Sequence, residues 1–394
     1  MTVQTNPTSP IFAIKNYGQS IWMDNLSRDL IESGELKQLI QSRDVHGITS
    51  NPAIFEKAIA GNAIYDADIE AGIRAGQPVA EIYESLVFTD IQNACDILRP
   101  VYEETQALDG YVSIEVPPNL AHDTDTTIAE ARRYAQTIDR PNLMIKIPGT
   151  AEGLPAVTQV ISEGISVNVT LLFSVESYIQ TAWAYIEGLE ARVARNECVQ
   201  NIESVASFFL SRIDSKIDDQ LEQLIAAAEE AGETDRKAQL EAAKGRVAIA
   251  NAKLAYQEYK KILESDRWKA LAAKGARMQR LLWASTSTKN PAYSDVMYVD
   301  GLVGPNTVNT LPPNTIEACA DHCDVSSRIE QDVEAAQALI ASLPELGIDL
   351  DQVMAELLED GIDKFIKPFD ALMDSLVLKI KQLAPAFGGN GPVR

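Results

Sequence analysis

The chain has 394 residues and a formal net charge of −23, with 46% hydrophobic residues. That length is ample for a large core, and the hydrophobic share is that of a globular protein rather than a disordered one. The acidity argues against nucleic acid or an anionic membrane as a general partner, since both would be repelled over most of the surface; a small phosphorylated substrate stays open, because a few basic residues in a cleft dominate locally. Four cysteines (Cys95, Cys198, Cys319, Cys323) are too few and scattered for a disulfide scaffold. The run CADHC (319–323) has metal-ligand residue types but no second ligand pair, and a helix starting after Pro312 and Pro313 accounts for it better. The opening MTVQTNPTSPIFAIK has no apolar leader core, and no run of 18 apolar residues occurs. A reducing, cytoplasmic setting is expected.

In chain order, short apolar runs alternate with longer helical patterns. Strands are predicted at SIWMDNL (20–26), HGITSNP (46–52), YVSIEVPP (111–118), NLMIKIPGT (142–150), ISVNVTLLF (165–173), SVASFFLSR (204–212), RLLWASTST (280–288) and MYVDGLVGP (297–305). Eight such segments interleaved with helices predict a parallel (β/α)8 barrel. An open doubly wound sheet is the alternative, but no glycine-rich dinucleotide loop follows the first strand. LSRDLIESGELKQLIQSR reads as the helix after the first strand, and the span from about Pro78 to Gln106 as another. The stretch at about 215–275 is rich in Ala, Glu, Lys and Leu and predicts two or more helices extending the connection between strands six and seven. A helix is expected after NTLPP, and a C-terminal helical region runs over about 314–385, with Gly347, Gly361 and Pro368 marking turns. The final PAFGGNGPVR is expected to be flexible. The whole is read as one barrel domain spanning 1–394; homo-oligomerisation is left open.

Polar residues interrupt these strands near their C-terminal ends, where barrel active sites form. Asp24 ends the first, Glu115 the third, Lys146 lies in the fourth, and Asn168 and Thr170 share a face of the fifth. Ser207 and Phe209 share a face of the sixth. Lys146 stands out because burying an ammonium in LMIKIP is costly. An ion pair with Asp24 or Glu115 is the structural alternative. The functional reading is an amine that desolvation keeps free to attack a carbonyl, with Glu115 or Asp24 shuttling protons through a water that Thr170 helps hold. Asn168 suits a substrate hydroxyl. Arg212, in SRIDSKID, offers a guanidinium fork for a phosphate, unless it forms a salt bridge with Asp214 or Asp218. Ser207 and Lys289 are further phosphate-donor candidates.

Five motifs in this order, WMDNLSRDLI, GITSNPAIFEKAI, VSIEV, NLMIKIPGTAEGLPA and GISVNVTLLFS, resemble the transaldolases, in particular the longer bacterial branch. The similarity runs from about Asn16 to Thr315. The resemblance implies a transferase of the pentose phosphate pathway that needs no metal or cofactor and acts on small sugar phosphates. A dihydroxyacetone unit would pass from sedoheptulose 7-phosphate or fructose 6-phosphate to glyceraldehyde 3-phosphate or erythrose 4-phosphate. It further implies Lys146 as the Schiff-base lysine, Asp24 as the acid–base group at carbon–carbon cleavage, and Glu115 with Thr170 around a catalytic water. Thr49, Asn51 and Asn168 would meet substrate hydroxyls, and Ser207 and Arg212 the phosphate. The related fructose 6-phosphate aldolases usually carry tyrosine where Phe209 stands, which favours transfer over simple cleavage. Many shorter transaldolases have an arginine after the seventh strand, where this chain offers only Lys289. A Schiff-base aldolase that releases its donor to water is the nearest alternative activity; a silent barrel whose acidic helices bind a partner is the alternative of another class.

Overall fold

The computed structural model of the chain describes residues 9–383. Eight parallel strands close into a barrel in sequence order: β1 (Gln19–Asp24), β2 (Val45–Thr49), β3 (Val112–Glu115), β4 (Leu143–Pro148), β5 (Val167–Leu172), β6 (Ser204–Phe209), β7 (Arg280–Ala284) and β8 (Thr307–Leu311). Helices lie between them, giving the (β/α)8 fold. The reason is visible in β4 to β7, where every residue is buried. One face packs into the barrel and the other under the helices, so these strands carry continuous apolar runs rather than an alternating pattern.

The eighth strand is not where the apolar run MYVDGLVGP suggests. Met297–Asp300 forms a short helix, and Tyr298, Val299, Leu302 and Val303 are buried with helical rather than alternating spacing. The strand is TVNTL, whose Thr307, Asn309 and Thr310 are polar yet buried and whose β-branched residues suit the sheet. Asn306, at φ 57°, turns the chain into it, and Pro312 and Pro313 follow directly and open the next helix. That helix, Pro313–His322, contains most of the CADHC run.

Other helical readings are refined. LSRDLIESGELKQLIQSR splits into Arg28–Glu32 and Glu35–Arg43, because Gly34 takes φ 80° between them. The predicted span from Pro78 is one helix, Val79–Glu104. The long connection between β6 and β7 holds Ser211–Glu230, Thr234–Ala243, Val247–Leu263 and Asp266–Ala272. Gly347, at φ 94°, does end a helix, Val333–Leu346. Gly361 and Pro368 do not mark turns: both lie inside one helix, Leu350–Leu383. Pro368 removes one backbone donor, which packing along the rest of the helix outweighs. The segment PAFGGNGPVR and the first eight residues lie outside the described residues. Among the described residues no helix is long and apolar enough to cross a membrane.

The two ends of the barrel differ. At the N-terminal end, Asp109 accepts from Ser20 (2.6 Å) and Trp22 (2.9 Å) and pairs with Arg280 (3.1 Å), a buried network that closes the floor. At the C-terminal end the terminal helix Leu350–Leu383 crosses the mouth. It packs on Pro52–Ile59 and Val79–Glu104, both in the connection between β2 and β3, and on Ser211–Glu230, which follows β6.

Candidate active site

Parallel pairing sets the site. Glu115 is the register partner of Lys146, and Lys146 of Asn168, so three adjacent strands bring these residues to one level. On the opposite flank Asp24 is paired with Thr49, and one step further along β5 Thr170 is paired with Pro148. Above this level lies a cavity of about 430 Å³, lined among others by Asp24, Thr49, Asn51, Lys146, Thr170, Ser207, Phe209 and Arg212.

Lys146 is 4% exposed. Its Nζ donates to the Ser50 carbonyl (3.2 Å) and lies 3.4 Å from Glu115 Oε2. The ion pair and the nucleophile readings therefore meet in one geometry, with a carboxylate in contact with the amine. Burial pushes Glu115 up to about 7 despite the opposing pull of Lys146. Near neutral pH such a carboxyl can both give and take a proton. Neither Glu115 oxygen has a hydrogen-bond partner among the described residues, and the same holds for Thr170 Oγ1. Burial also raises Asp24, against the attraction of Lys146, while Thr49 donates to its carboxylate at 2.7 Å. Thr49 is in turn 2.8 Å from Thr310 on β8.

Arg212 is the second cation. It opens the helix Ser211–Glu230, whose start is held by the Ser285 carbonyl accepting from Ser211 N (3.0 Å) and by a 2.9 Å contact between the two hydroxyls. Neither nearby aspartate pairs with it. Asp214 accepts from Ala248 N and Tyr298, and Asp218 accepts from Gly245 N and Tyr293. Arg212 Nη1 is buried without a partner among the described residues. Other buried polar atoms lack a hydrogen bond elsewhere in the barrel, but Glu115 Oε1, Thr170 Oγ1 and Arg212 Nη1 gather around one site, as expected where a ligand supplies the bonds.

The pattern of the family described as Transaldolase/Fructose-6-phosphate aldolase matches residues 21–376. The chain is 69% identical over 382 residues to a protein of Trichodesmium erythraeum named Transaldolase, covering 96% of this chain and 99% of that one. A protein of Nostoc punctiforme named Transaldolase 2 is 66% identical over 380 residues, 96% and 99% of the two chains. A Transaldolase of Saccharopolyspora erythraea is 47% identical over 383 residues, 97% and 100%. The chain belongs to the transaldolase family.

A transaldolase-family member of this kind is a transferase, and most of the residues singled out in its sequence meet around one cavity. Asn168 and Lys289 sit apart from it, Asn51 has a second role, and Glu115 borders a neighbouring cavity that Asn51 also lines. Asn168 is wholly buried beneath the cavity, donating to Ser113 (3.1 Å) and accepting from Ser207 (2.7 Å), so it fixes the Ser207 hydroxyl. Asn51 caps the helix Pro52–Ile59, its Oδ1 accepting from Ile54 N at 3.0 Å, while lining the cavity as well. Lys289 is exposed, donates to Ser287, and borders an outer cavity with Asp214, Asp218 and Tyr293 rather than the one above Lys146.

Residues absent from the sequence reading are Thr310, Ser285 and Phe365, all of which line the main cavity of this transaldolase-family barrel. Thr310 carries a signal that placing β8 at TVNTL reveals, since it is a polar residue near the C-terminal end of that strand. Phe365 carries none locally: its position over Lys146 depends on the tertiary path of the terminal helix.

Proposed function

We propose that this chain is the transaldolase of the pentose phosphate pathway, moving a dihydroxyacetone unit from sedoheptulose 7-phosphate or fructose 6-phosphate to glyceraldehyde 3-phosphate or erythrose 4-phosphate through a Schiff base on Lys146. The observation that carries this reading is the pairing of a buried lysine, 3.4 Å from a carboxyl raised to about 7, with an arginine lining the same cavity whose buried Nη1 has no hydrogen-bond partner among the described residues.

The residues suit each step. Glu115 takes a proton from the Lys146 ammonium, and the free amine attacks the ketone of the donor. Loss of water leaves a protonated imine, which withdraws electrons from the neighbouring bonds and replaces any need for a metal as electron sink. Asp24, raised by burial, accepts the proton of the C4 hydroxyl as the C3–C4 bond breaks. The first aldose phosphate leaves, and the three-carbon unit stays on Lys146 as an enamine. It then attacks the aldehyde of the acceptor, Asp24 returns its proton to the new hydroxyl, and water, oriented between Glu115 and Thr170, hydrolyses the imine. Arg212 holds the phosphate of donor and acceptor, helped by the positive N-terminal end of its own helix and by the Ser207 hydroxyl once that turns from Asn168 to the phosphate.

The test is a two-substrate assay. Fructose 6-phosphate and erythrose 4-phosphate incubated with the protein are expected to yield sedoheptulose 7-phosphate and glyceraldehyde 3-phosphate in equal amounts. Production of glyceraldehyde 3-phosphate and free dihydroxyacetone alone, whatever the acceptor concentration, would reassign the chain to the aldolase reading.

A further inference from the structure

The terminal helix Leu350–Leu383 brings an aromatic ring to the reacting lysine from the far end of the chain. The Phe365 centroid lies 5.3 Å from Lys146 Nζ and 6.0 Å from Arg212 Cζ, and the residue is 4% exposed. A second ring, Phe209, lies 5.2 Å from the same Arg212 Cζ. One helical turn on, Phe369 lines a second, small pocket together with Glu115 and Asn51, and meets Tyr83 edge-on at 5.5 Å. The helix can sit this low because Gly361 has no side chain: a Cβ there would lie 2.9 Å from Leu171 Cδ2. It is also fastened on both sides of Phe365. Lys216 Nζ pairs with Glu356 at 2.6 Å, and Lys379 Nζ donates to the Asn62 carbonyl at 2.8 Å and pairs with Asp66.

We propose that Phe365 is a specificity-determining residue: its ring decides whether the donor half held on Lys146 is handed to an aldehyde or lost to water. The inference rests on the Schiff-base reading above. Once the first product has left, the enamine has two fates. Its nucleophilic carbon forms a new carbon–carbon bond with the acceptor aldehyde, whose oxygen takes a proton. Alternatively that carbon takes a proton from water, the imine adds a water molecule, the carbon–nitrogen bond breaks, and free dihydroxyacetone leaves with the lysine amine restored. Both routes finish in imine hydrolysis, so what separates them is the chance that water delivers a proton to carbon before the acceptor arrives. An apolar ring over Nζ lowers that chance by keeping bulk water from the enamine, and it still leaves the ordered polar groups of Glu115 and Thr170 to handle the final hydrolysis.

The test compares full-length wild type with Phe365→Ala and Phe365→Leu. Dihydroxyacetone release is measured from fructose 6-phosphate alone, and transfer with erythrose 4-phosphate added. The ratio of release to transfer is expected to rise about tenfold in Phe365→Ala and by less in Phe365→Leu, which keeps an apolar cover. A ratio unchanged in both variants, with the two rates falling together, would overturn the proposal and leave the ring a packing role only. If Phe365→Ala fails to fold by circular dichroism, the same ratio in Phe365→Leu and Phe365→Met decides. Failure of the underlying reading looks different: wild type itself would then form no borohydride-trapped adduct on Lys146.

Discussion

At the scale of single residues, the chemistry depends on charges held out of water. Lys146, Glu115 and Asp24 are legible in the sequence because each places a polar group in an apolar strand, an arrangement too costly to be incidental. What cannot be read there is how each is satisfied. Asn168 sits at the site yet its visible bonds go to Ser113 and Ser207, and Lys289 borders an outer cavity while its charge still acts on Asp24 and Arg212. Two predictions belong here. Arg212→Ala should lower kcat/KM for a phosphorylated donor on the order of 10²–10³-fold, about 3–4 kcal/mol, and affect unphosphorylated dihydroxyacetone as donor much less. Equal losses on both would remove the phosphate role. Glu115, at about 7 when folded, should give kcat/KM a limb that rises with pH through about 7, as the carboxylate becomes able to take the lysine proton. Glu115→Gln should abolish that limb. The same shift sets a stability dependence: the pKa is raised above its value of 4.5, so the stability Glu115 contributes is complete below about pH 4.5 and lost as pH rises through about 7. Denaturant titrations of wild type and Glu115→Gln across that window check the sign.

At the scale of elements, seven strands were legible because their apolar runs are short and bounded by turn residues. The eighth was not. Buried residues of a short helix, Tyr298 and Val299, supply a stronger apolar signal than TVNTL, whose Thr307, Asn309 and Thr310 are polar although all three are buried. The terminal helix failed for a related reason. Glycine and proline usually end helices, but Gly361 is buried against Leu171, where the absence of a side chain permits close approach. This gives a graded prediction. Gly361→Ala adds one methyl against the flexible end of Leu171 while gaining roughly 1 kcal/mol of helix propensity, so its stability should stay near wild type. Gly361→Leu should cost about 1–3 kcal/mol by overpacking and should lift Phe365 away from Lys146, lowering activity. Urea unfolding and transfer rates on the two variants test this; equal behaviour would mean the helix does not seat through Gly361.

At the scale of the molecule, the barrel follows from the count and spacing of strands, whereas the route of the long helical connection between β6 and β7 does not. That connection returns its helix Val247–Leu263 onto Val175–Ala194 and Val333–Leu346, and the terminal helix then ties early and late barrel units together across the mouth. Contacts of such sequence separation leave no local trace in composition. Because they bind the extra helices to the barrel from several sides, thermal unfolding is expected as one cooperative transition seen alike by near- and far-ultraviolet circular dichroism; two separated transitions would show that the added helices form a unit of their own. The net charge of −23 and the cationic Arg212 at the cavity fit together in the same way: the surface carries solubility, and substrate attraction is local.

The central claim is covalent attachment at Lys146, and borohydride reduction in the presence of fructose 6-phosphate tests it most directly. Peptide mapping is expected to find a reduced three-carbon adduct on Lys146 in the wild type and none in Lys146→Ala. An adduct on another lysine, or inactivation without any adduct, would contradict the account.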